Sequence, residues 1–215
     1  MISELICALV LTAMALRITT WLAAPWRALV AGVTLLVSLL PFPWGLSGWV
    51  LSYLSDFSIT TGLLALVAIQ HRLTGHYSLP VRELRASCLT LVVLALWFYP
   101  MSLGSSYADP YALGFGDTLL SGILLLVGLF AWLSRAYASC LLLVAAQVAF
   151  RFNLLQSDNL WDYLIDPWLV SWASGWLIRD RLLRVRENRA ERLAGQAVPA
   201  VNGAKPVPIA TASEG

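Results

Sequence analysis

The chain has 215 residues, of which 59% are hydrophobic and only 12% are charged, and its mean hydropathy is +0.75. Soluble domains carry about 25% charged residues, so this composition excludes a chain whose whole surface faces water. The net charge is only +2, and the dense Arg cluster that begins at Arg179 follows the last apolar segment. That position suits an anionic membrane surface, and no nucleic-acid partner is predicted.

Seven apolar segments predict membrane-crossing helices, with approximate bounds 2–16, 28–43, 46–70, 87–103, 118–133, 136–152 and 167–178. The predicted fold class is an all-α integral membrane protein, a bundle of about seven transmembrane helices, with six as the alternative. The predicted bundle covers residues 1–178. A charged cytoplasmic helix extension over 179–194 and a disordered cytoplasmic tail over 195–215 follow it, because the tail is rich in Ala, Pro, Val, Gly and Ser without helical periodicity.

Basic and acidic connections alternate along the chain. The basic connections follow the first, third, fifth and seventh segments and carry Arg17, Arg27, His71, Arg72, His76, Arg82, Arg85, Arg135 and the cluster from Arg179 to Arg192. The intervening connections carry acids, and Arg151 is the cation found among them. Because basic loops stay in the cytoplasm, the pattern predicts a multi-pass protein of the cell inner membrane, with its N-terminus outside and its C-terminus inside.

Tyr and Trp side chains gather near the predicted ends of the segments. The group at the outer ends comprises Trp44, Trp49, Tyr53, Tyr99, Tyr107, Tyr111, Trp161, Tyr163 and Trp168. Such belts are typical of membrane–water interfaces, where an amphipathic ring meets lipid and water together. We therefore interpret these aromatics as interfacial anchors.

Three acids, Asp56, Asp117 and Asp166, each precede an apolar run that leads towards the basic side. Asp is a preferred helix N-cap, and Pro167 after Asp166 suits the first helical position, so the sequence predicts helix caps. The distance from Asp166 to Arg179 is only about 20 Å along a helix, which is shorter than a hydrocarbon core of about 30 Å. The alternative interpretation therefore places these carboxylates at membrane depth, where they need partners or water.

The residues before the last segment form a second group of candidates. Asp158, Asp162 and Asp166 are spaced by four, which would form an acidic stripe on a continuous helix, although Pro167 disfavours helix at Asp166. Arg151, close to Asn153, is predicted to form an ion pair with Asp158 or Asp162. The alternatives are a clamp for a phosphate or carboxylate on Arg151, and a cation site on the stripe.

Catalytic motifs are largely absent from the sequence. Gly114 to Asp117 reads G-x-G-D, the pattern of intramembrane aspartyl proteases, but Thr118 and Leu119 stand where prepilin peptidases carry Lys, so we assign no protease. The candidate catalytic acids are Asp117, Asp109 and Asp162; the candidate ligand-binding residues are Asp56, Asp158, Asp166, Arg151 and Asn153. No cofactor and no metal site is predicted.

Three functional hypotheses follow from these observations. The favoured one is a non-enzymatic accessory or scaffold subunit of a membrane assembly, because catalytic motifs are missing and small residues recur in the apolar segments. The second is a transporter or channel for a small solute or lipid. The third is an outer-face enzyme acting on a lipid-linked or glycan-like substrate through the Asp residues and Arg151. The predicted partners are the lipid bilayer and either another membrane protein or a second copy of the chain.

Overall fold

The computed structural model describes residues 1–76, 79–105, 109–116 and 118–197, and these residues are almost entirely helical. The helices are α1 Ile2–Ile18, α2 Ala24–Ser38, α3 Leu46–Leu54, α4 Ile59–Thr74, α5 Val81–Pro100, α6 Thr118–Leu133, α7 Tyr137–Arg151, α8 Leu160–Leu164 and α9 Pro167–Ala197. A π turn, Met101–Ser105, follows α5, and a 3-10 turn, Tyr111–Gly114, precedes α6. The all-helical prediction is confirmed for the described residues.

The third predicted segment is not one helix. Residues 46–70 divide into α3 and α4, and Ser55 between them has a positive φ of 62°. Ser58, not Asp56, is the N-cap of α4: its hydroxyl accepts a hydrogen bond from the Thr61 backbone N–H at 3.1 Å. Because a capping hydroxyl offers the backbone an alternative to a continuous helix, the apolar run is interrupted at this point.

Helix α1 packs against α2, α3 and α4. Cys7 and Ala8 on α1 are fully buried, and Gly62 on α4 lies against Ile6. A Cβ atom added at Gly62 would come within 3.1 Å of the Ile6 side chain, which is closer than ordinary van der Waals contact. The absence of a side chain at Gly62 therefore sets the close approach of α1 and α4.

Hydrogen bonds at one end of the bundle, which we call the basic end, relate the directions of the first helices. Arg72 near the end of α4 donates to the Leu16 carbonyl near the end of α1 at 3.2 Å. Arg27 near the start of α2 donates to the Arg72 carbonyl at 2.9 Å. Helices α1 and α4 therefore end where α2 begins, as an up-and-down arrangement requires.

A carboxylate joins α5 to α7. Glu83 in the first turn of α5 accepts hydrogen bonds from the backbone N–H and the hydroxyl of Ser139, at 2.7 and 3.1 Å. Ser139 lies in the first turn of α7, where backbone N–H groups have no partner within their own helix. The two helices therefore begin side by side.

A helix that crosses a bilayer must be apolar and about 20 residues long. Among the described residues, the stretch Val81–Gly104 is long and apolar enough to cross a membrane by length and composition. Three further apolar helices are shorter, namely Ala24–Ser38, Thr118–Leu133 and Tyr137–Arg151. The seven predicted crossings accordingly remain a prediction.

The chain divides into two compact units, residues 1–174 and residues 175–215. The first unit holds the helices described above and the start of α9. In the second unit, α9 continues through the predicted extension 179–194 to Ala197, and Arg184 pairs with Asp180 at 2.7 Å. The rest of the predicted tail, from residue 198, lies outside the described residues.

Candidate functional site

A cleft of about 570 Å³ lies in the first unit, at the end of the bundle where α5 finishes and α4 and α9 begin. We call it the acidic cleft. Its carboxylates are Asp56, Asp162 and Asp166. Its aromatic side chains are Phe98, Tyr99, Tyr111 and Trp161, and Ser55, Ser102, Gln156 and Ser157 add further polar groups.

Asp166 joins the N-termini of two helices. Its Oδ1 accepts from the Leu169 backbone N–H at 2.7 Å, which caps α9, and its Oδ2 accepts from the Ser58 backbone N–H at 2.9 Å. The Thr61 hydroxyl also donates to Oδ2. The side chain is only 5% exposed, and the N-terminal ends of both helices point at it. The predicted capping role of Asp166 matches this geometry.

Asp162 lies in the first turn of α8 and is held by two hydroxyl groups. Tyr111 donates to its two oxygens at 3.2 and 3.0 Å, and Ser157 donates to Oδ2. Neither donor carries a positive charge, so Asp162 brings an uncompensated negative charge to the cleft.

Burial, with a smaller contribution from Asp162, raises the pKa of Tyr111. Burial raises the pKa of Tyr111 to about 12, and the charge of Asp162, the hydrogen bond to it and the charge of Asp109 act in the same direction. The ordinary pKa of tyrosine is about 10. The phenol therefore stays protonated, and remains a hydrogen-bond donor to Asp162, across the physiological pH range.

The 3-10 turn is fastened to α8 by the fully buried Asn159. Its side-chain N–H donates to the Tyr111 carbonyl at 2.9 Å, while its Oδ1 accepts from the Trp161 backbone N–H at 2.9 Å. A side chain at Gly114 would overlap the Asn159 amide, so glycine is required for this close contact. The Trp161 indole N–H donates to the Pro110 carbonyl at 2.9 Å. These bonds fix Trp161 and Tyr111 in the cleft wall.

Tyr163 supports the loop that forms another side of the cleft. Its hydroxyl accepts from the Leu155 backbone N–H at 3.1 Å and approaches the Leu155 and Ser157 carbonyls at 3.1 and 3.2 Å. Burial is the main cause that raises its pKa; the hydrogen bond to the Leu155 backbone opposes the rise, and Asp158 and Asp162 add to it. A neutral, buried phenol thus orders the loop that presents Ser157 to Asp162.

The aromatic side chains form one continuous wall. The ring centroids of Phe98 and Trp161 are 4.6 Å apart, and those of Phe98 and Tyr99 are 5.5 Å apart. The rings of Phe98 and Tyr111 are 6.3 Å apart. These spacings are typical of packed aromatic pairs, so the wall is rigid as well as apolar.

The structure brings together only some of the residues predicted to form a site. Asp56, Asp162 and Asp166 line one cleft, whereas Asp158 is exposed outside it. The predicted acidic stripe is not formed, because α8 holds only Asp162 and ends before Asp166. Asp109 is exposed and accepts from the Tyr111 backbone N–H at 2.9 Å.

The cationic candidate lies elsewhere. Arg151 and Asn153 are exposed and do not line the cleft. In the described part of the chain, neither Asp158 nor Asp162 forms the expected ion pair with Arg151. The Asp162 carboxylate accepts hydrogen bonds from Tyr111 and Ser157. Asp117 lies outside the described residues.

Sequence reasoning missed the aromatic and hydroxyl groups of the cleft. The sequence pattern predicts an interfacial belt that includes Tyr99, Tyr111 and Trp161, and it predicts no role for Asn159 or Ser157. Residues 157–163 could have indicated the network, because Ser, Asn and two Asp are mixed with Trp and Tyr within seven positions. Such mixing of polar and aromatic side chains is more typical of a packed polar network than of a belt.

The cleft has a one-sided charge. No Lys, Arg or His of the described residues lines it, while three carboxylates do. Within the same residues, no three His, Cys, Asp or Glu side chains come close enough together to hold a metal ion. The acids are therefore spread around a space bounded by aromatic rings.

Comparison with protein-family models, curated proteins and solved structures finds no match to this chain.

Proposed function

We propose that this chain is a multi-pass membrane protein that binds a small organic cation in the acidic cleft. The observation that carries the proposal is the composition of the cleft: three carboxylates and four aromatic rings, with no basic side chain among the described lining residues. A cation with an apolar body satisfies both features, because it pairs with carboxylates and stacks on aromatic faces.

Membrane insertion is supported by the surfaces of the helices. Large apolar side chains on α2, α5, α6 and α7 are more than two-thirds exposed, namely Leu36, Leu96, Leu126, Phe130 and Leu141. Water-soluble monomers rarely expose contiguous apolar surface on this scale. Lipid is the solvent that such surfaces suit, and the alternation of charge in the loops supports an outer position for the acidic cleft.

Asp166 and Asp56 differ in how many hydrogen bonds their carboxylates already accept. Asp166 already accepts three hydrogen bonds and lies at two helix N-termini. Asp56 is exposed and has no hydrogen bond or ion pair with a described residue. A bound cation is therefore expected to interact mainly with Asp56 and Asp162, while Asp166 holds the cleft together.

The cleft favours a binding role over a purely structural one, and a carrier or receptor over an enzyme. The outer-face enzyme hypothesis relied on Arg151 to hold a phosphate, and Arg151 does not line the cleft. An accessory subunit needs no cleft that combines charge with an aromatic wall. Among the three hypotheses, the small-solute carrier is therefore the closest to what we propose.

The test is a titration of the purified protein in detergent with choline and with its neutral isostere 3,3-dimethylbutan-1-ol, followed by Trp fluorescence. We expect choline to bind and the alcohol to bind more weakly. Asp56→Asn should weaken choline binding about fivefold, the loss of one ion pair worth about 1 kcal/mol near a surface.

The matched control is Asp158→Asn, which removes the same charge from an exposed residue outside the cleft. It should leave the choline Kd nearly unchanged. Equal affinity for choline and the alcohol would contradict a cation site. Equal effects of the two Asp→Asn variants would show that only the overall negative charge matters.

A further inference from the structure

Beyond residue 177, helix α9 carries its apolar, basic and acidic side chains on different sides. At about 100° per residue, positions three, four, seven and eleven apart lie along one side of a helix. Between residues 178 and 193, one such line carries four large apolar side chains and Arg189. Its apolar members, which we call the apolar stripe, are Ile178, Leu182, Val185 and Leu193.

All four side chains of the apolar stripe are exposed. Ile178 is 62% exposed and Leu193 is 60% exposed, and Leu182 and Val185 are 54% and 57% exposed. An unpartnered apolar line on a charged helix indicates that something covers it, because exposure of such side chains to water is unfavourable by about 25 cal/mol per Å².

The charged side chains of the same stretch are sorted around the stripe. The three acids, Asp180, Glu187 and Glu191, lie within about 40° of each other and about 180° from the stripe. Arg179 and Arg186 flank the stripe on one side. Arg181 and Arg192 flank it on the other. Arg184 lies on the same side as the acids and pairs with Asp180 at 2.7 Å.

We propose that the apolar stripe and its flanking arginines bind the surface of a membrane that contains anionic phospholipids. Apolar side chains enter the acyl boundary, the arginines on both flanks contact phosphate groups, and the acids face away from the negative surface. This arrangement is that of an interfacial amphipathic helix.

Charge complementarity selects lipid over a second copy of the chain. In a dimer formed through the stripe, the flanking arginines and Arg189, which lies within the line of the stripe, would face their own counterparts. Like charges that meet at an interface oppose association, whereas each arginine gains about 1 kcal/mol near an anionic lipid surface.

The inference rests on the proposed membrane insertion but not on the cation site. Its test is carried out on the full chain with Cys140→Ser, labelled at single cysteines with a fluorophore and reconstituted into phosphatidylcholine vesicles with or without phosphatidylglycerol. The label positions are Leu182→Cys in the stripe, Glu187→Cys on the acid face and Leu126→Cys on α6. Quenching by a lipid-bound nitroxide reports contact with the bilayer.

We expect quenching at Leu182→Cys to be about threefold stronger with phosphatidylglycerol than without it, and to fall at high salt because exposed charges are screened. Quenching at Glu187→Cys should be weak in both. Arg181→Gln with Arg186→Gln should abolish the difference, whereas Arg184→Gln, on the acid face, should preserve it.

Three results would overturn the inference. Equal quenching at Leu182→Cys and Glu187→Cys would mean that the helix has no preferred face. Equal quenching at Leu182→Cys with and without phosphatidylglycerol would exclude the arginine contacts with lipid phosphate. Protection of Leu182→Cys from both the nitroxide and a water-soluble quencher would mean that protein, not lipid, covers the stripe. Strong quenching at Leu126→Cys in each case would show that membrane insertion itself had not failed.

Discussion

The Asp166 carboxylate caps α9 and also binds the start of α4. Pro167 begins α9 and cannot donate a backbone hydrogen bond, while the Leu169 N–H finds its acceptor in Asp166 Oδ1. The same carboxylate accepts from Ser58 and Thr61 at the start of α4. Its burial is tolerated because all these donors point at it.

Replacing Asp166 by Ala is expected to lower the free energy of unfolding by about 2–4 kcal/mol, because a helix cap and hydrogen bonds to a charged acceptor are lost together. Thermal and denaturant melts of the detergent-purified protein measure this change. Asp158→Ala, at an exposed site, should change stability by less than about 0.5 kcal/mol. A similar loss in both variants would show that Asp166 is not a structural cap.

The pKa of Tyr111, which burial and Asp162 raise to about 12, predicts how stability depends on high pH. The folded state holds the phenol proton more tightly than the unfolded state, whose tyrosine titrates near pH 10. The stabilisation is therefore complete below about pH 10 and is lost as pH rises towards about 12. Tyr111→Phe should flatten this part of the profile of melting temperature against pH.

The control for that profile is Tyr53→Phe, which removes an 81% exposed phenol and should leave the slope as it is. An absorbance titration at the tyrosinate band checks the cause, since Tyr111→Phe should remove a late-titrating phenol. An unchanged melting profile in Tyr111→Phe would contradict the role assigned to its hydroxyl.

At the scale of the elements, close packing of α1 on α4 depends on Gly62. A side chain at this position meets Ile6, whose neighbours on α1 are fully buried, so neither helix can shift without opening the core. Small residues at helix contacts play the same role in membrane bundles, where packing and not the hydrophobic effect drives association.

Gly62→Val is expected to destabilise the protein by about 1–3 kcal/mol, the usual cost of overpacking. Gly122→Val makes the same chemical change on α6, where an added Cβ meets nothing within 4 Å, and should be nearly neutral. Thermal melts of the two variants measured side by side give the comparison. If Gly122→Val were as harmful as Gly62→Val, helix propensity and not packing would explain the loss.

The break between α3 and α4 shows what an apolar pattern leaves open at this scale. Residues 46–70 are apolar enough to be one predicted helix, but Phe57 is buried and Ser58 caps a new helix at this point. Hydropathy averages over a window and is insensitive to one capping hydroxyl. Because the helix is interrupted here, Asp56 lies in the connection between α3 and α4, where it lines the cleft.

For the whole molecule, the alternation of basic and acidic connections predicts opposite sides for the cleft loop and for the arginines of α9. Single cysteines at Asp158 and Arg184, in a Cys140→Ser background, should react differently with a membrane-impermeant maleimide in intact cells. Asp158→Cys should be labelled from outside, and Arg184→Cys only after permeabilisation. The parent without an added cysteine is the control, and labelling of both sites from one side would contradict the orientation.

Three features could be predicted from local sequence patterns: the helical class of the described residues, the sorting of charge along the chain and the position of Asp166 at a helix start. Each of these follows from local physics: helical periodicity, capping and composition act over a few residues. The break at 55–58 also has a local cause, the Ser58 cap. Where it places Asp56, however, depends on how α3 and α4 pack.

Which polar groups meet depends on packing that brings distant parts of the chain together. Asp56, Tyr111 and Asp162 lie far apart in sequence, and they converge because α4, α5, α8 and α9 place their ends at one point. Arg151 is close in sequence to Asp158 and Asp162, but it forms an ion pair with neither of them and does not line the cleft. Long-range pairing of this kind depends on packing geometry, which no spacing along a single chain encodes.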